Sequence, residues 1–139
     1  MELRICIDVA DLEAAIAFYR DALGLTLGRR LGDKWAEMLG APCPIDLLAE
    51  AAGSKPSRRV TSVRDYGRHW TPVHLDFPVA DVEAAVQKAI AAGATLDEGI
   101  QRRKWGRIAV LADPFGNGFC LLQMEGRGYD EMLDRPQRG

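Results

Sequence analysis

The chain has 139 residues, 47% hydrophobic and 27% charged, with eighteen basic against twenty acidic side chains and a formal charge of −2. That length suits one domain with an ordinary core, and the balanced charge supplies no field to draw in nucleic acid or an anionic membrane. Three cysteines without short spacings do not make a disulfide framework. No basic n-region and apolar h-region precede the first strand pattern, and no apolar run approaches about 18 residues. The expectation is a cytoplasmic chain with reduced thiols.

Residues 3–9 alternate, with Leu3, Ile5, Ile7 and Val9 on one face and Arg4, Cys6 and Asp8 on the other, as in a half-buried strand. Asp11 fits an N-cap, whose carboxylate accepts from the free amides of the first turn. The helix that follows places Leu12, Ala15, Ile16, Tyr19 and Leu23 on one apolar face, and Gly24 closes it. Apolar runs at 25–31, 34–39 and 44–50 read as three strands separated by Gly32-Asp33 and Gly40-Ala41-Pro42. The order then repeats. Residues 73–79 form a strand, and Asp81 caps a helix carrying Val82, Ala85, Val86, Ala89 and Ile90 before Gly93. Strands near 94–101, 105–112 and 118–124 follow, the last two joined by Asp113-Pro114-Phe115-Gly116, which has the composition of a tight turn.

The repetition is explicit. Val9-Ala10-Asp11-Leu12-Glu13-Ala14-Ala15-Ile16 returns as Val79-Ala80-Asp81-Val82-Glu83-Ala84-Ala85-Val86, and the same offset of 70 carries Lys34-Trp35 onto Lys104-Trp105 and Arg4 onto His74. At an offset of 74, Asp46-Leu47-Leu48 maps onto Cys120-Leu121-Leu122. The predicted architecture is α+β: two βαβββ modules related by a pseudo-twofold, with a curved mixed or antiparallel sheet around a cleft. Module 1 covers about 1–51, a connector 52–72, module 2 about 73–125 and a polar tail 126–139 that is loosely docked or frayed, all within a single domain. A linker is the first reading of the connector. Its 21 residues are also long enough to act as a lid.

Asp11-Leu12-Glu13, Phe18-Tyr19, Leu23-Gly24 and Asp113-Pro114-Phe115-Gly116, set in paired βαβββ modules, resemble the vicinal-oxygen-chelate superfamily. That superfamily holds glyoxalase I, extradiol dioxygenases, and fosfomycin- and bleomycin-resistance proteins. Its metal-dependent members place a His on the first strand, a His on the fifth, a Glu on the last and sometimes a carboxylate on the fourth. Carried onto this chain, the resemblance puts Arg4, His74, Cys120 and Asp46 at those positions. Arg4 departs from the pattern, because a guanidinium keeps its proton and brings a positive charge where a cation would sit. The repulsion is roughly 4 kcal/mol for unit charges 4 Å apart near a surface. A site without a metal is therefore expected, and a zinc site of His74, Asp46 and Cys120 is the alternative.

The expected ligand-binding set is Arg4, Cys6, Trp35, Asp46, His74, Trp105 and Cys120, with His74 the candidate catalytic group. One reading has these polar groups satisfying each other, Arg4 with Asp46 or Asp76 and His74 with a carboxylate. The other is an anion pocket, Arg4 offering a planar fork and His74 a donor or base. Trp35 and Trp105 either pack in the core or form a stacking slot for a planar ligand, closed over by His69 and Trp70. Cys120 is a nucleophile only if His74 approaches it. The arginines at 58, 59, 64, 68, 102, 103 and 107 read as solvated. The resemblance implies a small-molecule ligand, no nucleic-acid or membrane partner, and a homodimer. The expected function is binding of a small organic molecule, planar or anionic, with or without transforming it. Two alternatives stand beside it: a metal-dependent lyase, isomerase or dioxygenase using His74 and Asp46, and a module without a site that serves structure or interaction.

Overall fold

The computed structural model of the chain describes residues 1–133. Module 1 runs β1 (Ile5–Val9), α1 (Leu12–Leu23), β2 (Thr26–Leu31), β3 (Trp35–Leu39) and β4 (Ile45–Ala49). Module 2 runs β5 (Leu75–Pro78), α2 (Val82–Ala91), β6 (Thr95–Arg103), β7 (Gly106–Ala112) and β8 (Gly118–Met124). Each forms its own four-stranded mixed sheet, ordered β1-β4-β3-β2 and β5-β8-β7-β6. Within each sheet only the first pair is parallel, β1 with β4 and β5 with β8. The register repeats as well as the order: Cys6 stands opposite Asp46, and Asp76 opposite Cys120. The double repeat in the sequence is thus a double repeat in space.

The helices start and stop where their caps dictate. Asp11 accepts from the Ala14 amide at 2.9 Å and Asp81 from the Ala84 amide at 3.1 Å. Gly24 ends α1 at φ +71°, a left-handed conformation that costs other residues a Cβ clash. Along α1 the buried face is wider than the predicted stripe, adding Phe18 and Ala22. The reason is tertiary: α1 packs on α2 as well as on its own sheet, and Phe18 meets Tyr19 and Phe119 edge-on at 5.0 and 6.2 Å. Ile90, expected on the buried face of α2, is exposed in its last turn.

A buried carboxylate joins the modules. Asp113, in the turn between β7 and β8, is 2% exposed. Its Oδ1 accepts from the Phe115 and Asn117 amides at 2.8 and 2.9 Å, and its Oδ2 from Tyr19 Oη at 2.7 Å and Asn117 Nδ2 at 3.0 Å. Tyr19 belongs to α1, so the bond crosses from one module to the other. Asn117 makes a second crossing, Nδ2 donating to the Asp8 carbonyl of β1 at 3.0 Å. Burial and the neighbouring carboxylate push the Tyr19 hydroxyl well above its ordinary value, so it remains a donor.

The tail passes through a short 3₁₀ turn, Gly128–Met132, where Tyr129 packs edge-on against Trp105 at 5.1 Å. The rest of the expected frayed tail, 134–139, lies outside the described residues. The expectation for two of the arginines is corrected. Arg64 and Arg107 are not solvated: their side chains are 13% and 19% exposed. Arg107 spans Glu83, Gln123 and Glu125, and Arg64 joins Asp8. None of the described helices is long and apolar enough to cross a membrane.

Asp113→Ala removes an acceptor for four donors and is expected to lower stability by about 3 kcal/mol or more, roughly 10 °C in melting temperature. Tyr19→Phe, which removes one donor, should cost about 1–2 kcal/mol. Thermal unfolding followed by circular dichroism checks both, and equal effects of the two changes would show that the turn amides find other partners.

Candidate functional site between the modules

On module 1 the residues expected to hold a ligand hold each other. Arg4, just ahead of β1, forms a fork on Asp46 of β4, Nε to Oδ2 at 2.9 Å and Nη2 to Oδ1 at 2.7 Å. Its Nη2 also reaches Glu37 of β3 at 2.8 Å. Glu37, 5% exposed, takes three further bonds from Arg29, through Nε, Nη2 and the backbone amide. These donors hold the Glu37 carboxyl far below the usual carboxylate range, and the two carboxylates push the Arg4 guanidinium up. Trp35 stacks near the same guanidinium, 6.0 Å from its carbon to the ring centre. The Arg4 fork is thus occupied by the protein's own carboxylates.

The equivalent place on module 2 has different chemistry. His74 Nε2 lies 3.2 Å from Asp76 Oδ1, and Cys120, across the β5–β8 ladder, completes a set whose ligand atoms all lie within 4.8 Å of one another. Burial and Asp76 raise the Cys120 thiol to about 11, so near neutral pH it is a protonated donor, not a nucleophile. Nitrogen, oxygen and sulfur donors together match what zinc accepts. This set differs from the predicted His74, Asp46 and Cys120, because Asp46 belongs to the other sheet and is bound to Arg4.

A cavity of about 740 Å³ opens where the modules meet, bounded by β1, β5, the start of β8 and the connector. Ile5, Ile7, Phe77 and Phe119 provide apolar wall, while Cys6, Asp8, His74 and Asn117 provide polar groups. The connector closes the remaining side with Arg64, Tyr66, His69 and Trp70. Arg64 Nε donates to Asp8 Oδ2 at 2.8 Å, and Tyr66 Oη donates to the Glu50 carbonyl at 2.6 Å, so the segment is tied to module 1 at two points. Burial and the carboxylates Asp8 and Asp46 raise the Cys6 thiol.

Of the predicted residues, Cys6 and His74 border the cavity, while Arg4, Trp35, Asp46, Trp105 and Cys120 do not. Trp35 faces Arg4 and Trp105 faces Tyr129, so the two rings do not form a slot. Arg64, Tyr66 and Asn117 were not singled out from the sequence as ligand-facing, whereas Asp8, expected on the same face as Arg4 and Cys6, does border the cavity. Only the length of the connector signalled that its residues face a ligand.

Comparison with known proteins places this geometry. A glyoxalase-like domain model matches residues 4–122. The chain belongs to the glyoxalase-like domain family. Its structure is similar to a glyoxalase/bleomycin resistance protein/dioxygenase family enzyme from Burkholderia phytofirmans, at 25% identity and TM-score 0.69, covering 88% of this chain and 97% of that one. It is also similar to a fosfomycin resistance protein from Listeria monocytogenes, at 19% identity and TM-score 0.71, covering 96% and 98%. The second likeness shows the fold alone. An uncharacterised protein of Mycobacterium bovis is 44% identical over 54 residues, 38% of this chain and 36% of that protein. A Mycobacterium tuberculosis relative matches equally over 32% of its length. The match thus spans about a third of those relatives. Family and fold together are consistent with the vicinal-oxygen-chelate superfamily.

The acid side of the stability profile follows from Glu37. Its carboxyl is held down in the fold, so its stabilisation is fully present above its unfolded value of 4.5 and is lost as pH falls below that. Glu37→Gln is therefore expected to be less stable than the parent at neutral pH and to lose less on acidification from about pH 5 to 2. Urea midpoints across that range read the difference, and parallel curves would remove Glu37 from the acid response.

Proposed function

We propose that this protein binds a small, largely apolar organic molecule in the cavity between its modules, with His74 at the wall as the polar or acid–base contact. The supporting observation is the cavity itself. Its volume of about 740 Å³ suits a drug-sized ligand, and such pockets combine apolar walls with a few convergent polar groups. The family supports a small-molecule ligand, and the cavity offers a space of suitable size for one. A planar aromatic ligand fits walls that carry Phe77, Phe119, Tyr66 and Trp70. Arg64 is the one guanidinium among the lining residues, and it is already paired with Asp8. An anionic ligand is therefore less well served than a neutral one. The binding reading requires no metal, and it includes a homodimer as the form in solution.

A second reading has its own observation. His74, Asp76 and Cys120 would hold a zinc ion, which supplies a Lewis acid to polarise a bound oxygen. Asp76 would then hold His74 by their present contact, and the Cys120 thiol would give up its proton on binding.

The two readings separate in the tube. Tryptophan fluorescence titrated with a panel of neutral planar aromatics and planar acids is expected to show saturable quenching, strongest for the neutral members and weakened about tenfold in His74→Ala, a loss near 1.4 kcal/mol. A flat response across the panel would remove the binding reading. Metal analysis after dialysis against zinc is expected to be substoichiometric. One equivalent that is lost in both His74→Ala and Cys120→Ser would replace the first reading with the second.

A further inference from the structure

Both ring nitrogens of His69 face oxygens that can only accept. Nδ1 lies 2.8 Å from the Gly67 carbonyl, and Nε2 lies 3.0 Å from Asn117 Oδ1. The identity of that Asn117 atom is fixed from its other side. Nδ2 donates to the Asp8 carbonyl and to Asp113 Oδ2, each at 3.0 Å, and a carbonyl cannot donate in return. Oδ1 is therefore the atom turned toward His69. A neutral imidazole carries a single N–H. It satisfies one of the two oxygens and sets a lone pair against the other. The imidazolium carries two and satisfies both.

We propose that His69 is a proton-operated clasp, which fastens the second half of the connector over the cavity more tightly in its charged form than in its neutral form. The clasp sits where it can act. Gly67, His69 and Trp70 belong to the connector, while Asn117 opens β8 next to the Asp113 turn that joins the modules. His69, Trp70 and Thr71 form cavity wall, so their release widens the opening. The backbone adds one weak tie, from the His69 amide to the Gly116 carbonyl at 3.4 Å.

Several charged groups stand around the clasp. Arg68 lies next in the chain and reaches the His69 and Gly116 carbonyls, but it is paired with Asp97 of β6. Arg64 is paired with Asp8 of β1. Asp65 on the connector caps the Gly67 amide, and Asp113 lies behind Asn117. His74, across the cavity, is engaged with Asp76. Histidine is the side chain whose charge ordinarily changes between about pH 5 and 8, which sets the range for the test.

Closure is a property of the chain without ligand, so its failure would leave the binding reading untouched and the reverse also holds. Hydrogen exchange of residues 65–73, corrected for the intrinsic pH dependence of exchange, is measured at about pH 5.5 and 8.5. Protection is expected to be several-fold greater at the lower pH, with β8 unchanged. In His69→Gln, whose amide offers donors from one atom only, the difference should vanish. Nitrogen chemical shifts of the His69 ring in the unmodified protein provide an independent reading. Both nitrogens should be protonated at the pH where the segment is protected. A neutral ring in a protected segment, equal protection at both pH values, or a pH effect that survives in His69→Gln would each overturn the proposal.

Discussion

A carboxylate taken out of water must be matched by donors, or the fold that buries it is lost. Asp113 is matched four times over, and one of those donors, the Tyr19 hydroxyl, comes from the opposite module. The rest of the site depends on this arrangement. The turn that carries Asp113 also carries Asn117, which reaches β1 through the Asp8 carbonyl and the connector through His69. One short segment therefore sets the spacing of β1 and β5, closes the base of the cavity and gives the connector something to attach to. Breaking one partner of such a buried network is costly because the others are left unsatisfied.

The two modules show how one scaffold comes to hold unlike chemistry. Strand order and register are the same in both, down to the pairing of Cys6 with Asp46 and of Asp76 with Cys120. On module 1 that surface is closed by charge: two guanidiniums and two carboxylates neutralise one another, and Trp35 lies beside Arg4. On module 2 the same surface keeps His74 and Asp76 open to solvent, with the Cys120 thiol behind them. Function is decided by such local substitutions and not by the fold that carries them.

The elements were legible because the sequence marks their ends chemically. Asp11, Asp81, Gly24 and the Asp113–Gly116 turn each place a boundary by capping or turn geometry, and the helix and strand periods fill the space between. Arg4 beside Asp46 was also within reach, once the offset of 74 had put Asp46 on the strand next to β1. Glu37 was not, since nothing local tells that a glutamate on β3 will turn toward Arg4 and Arg29. The pairing of Arg64 with Asp8 was hidden for a similar reason. In a polar run, one arginine looks like the next, and only the path of the connector back across β1 separates Arg64 from its solvated neighbours. Trp35 and Trp105 match in sequence but diverge in space. Trp35 lies beside Arg4, whose counterpart in the repeat is the unlike His74, and Trp105 lies beside Tyr129, which comes from the tail beyond the repeat.

Each sheet ends on a strand bonded on one side only, β1 in the first and β5 in the second. Pro78, at the end of β5, has no amide hydrogen to offer across the gap. The two halves are thus hinged by a turn and a helix pair and not welded by a shared ladder. A change in the angle between them breaks no strand-to-strand bond. What holds that angle is instead the pair of side-chain crossings, Tyr19 to Asp113 and Asn117 to the Asp8 carbonyl, so the width of the chamber rests on two residues of one turn.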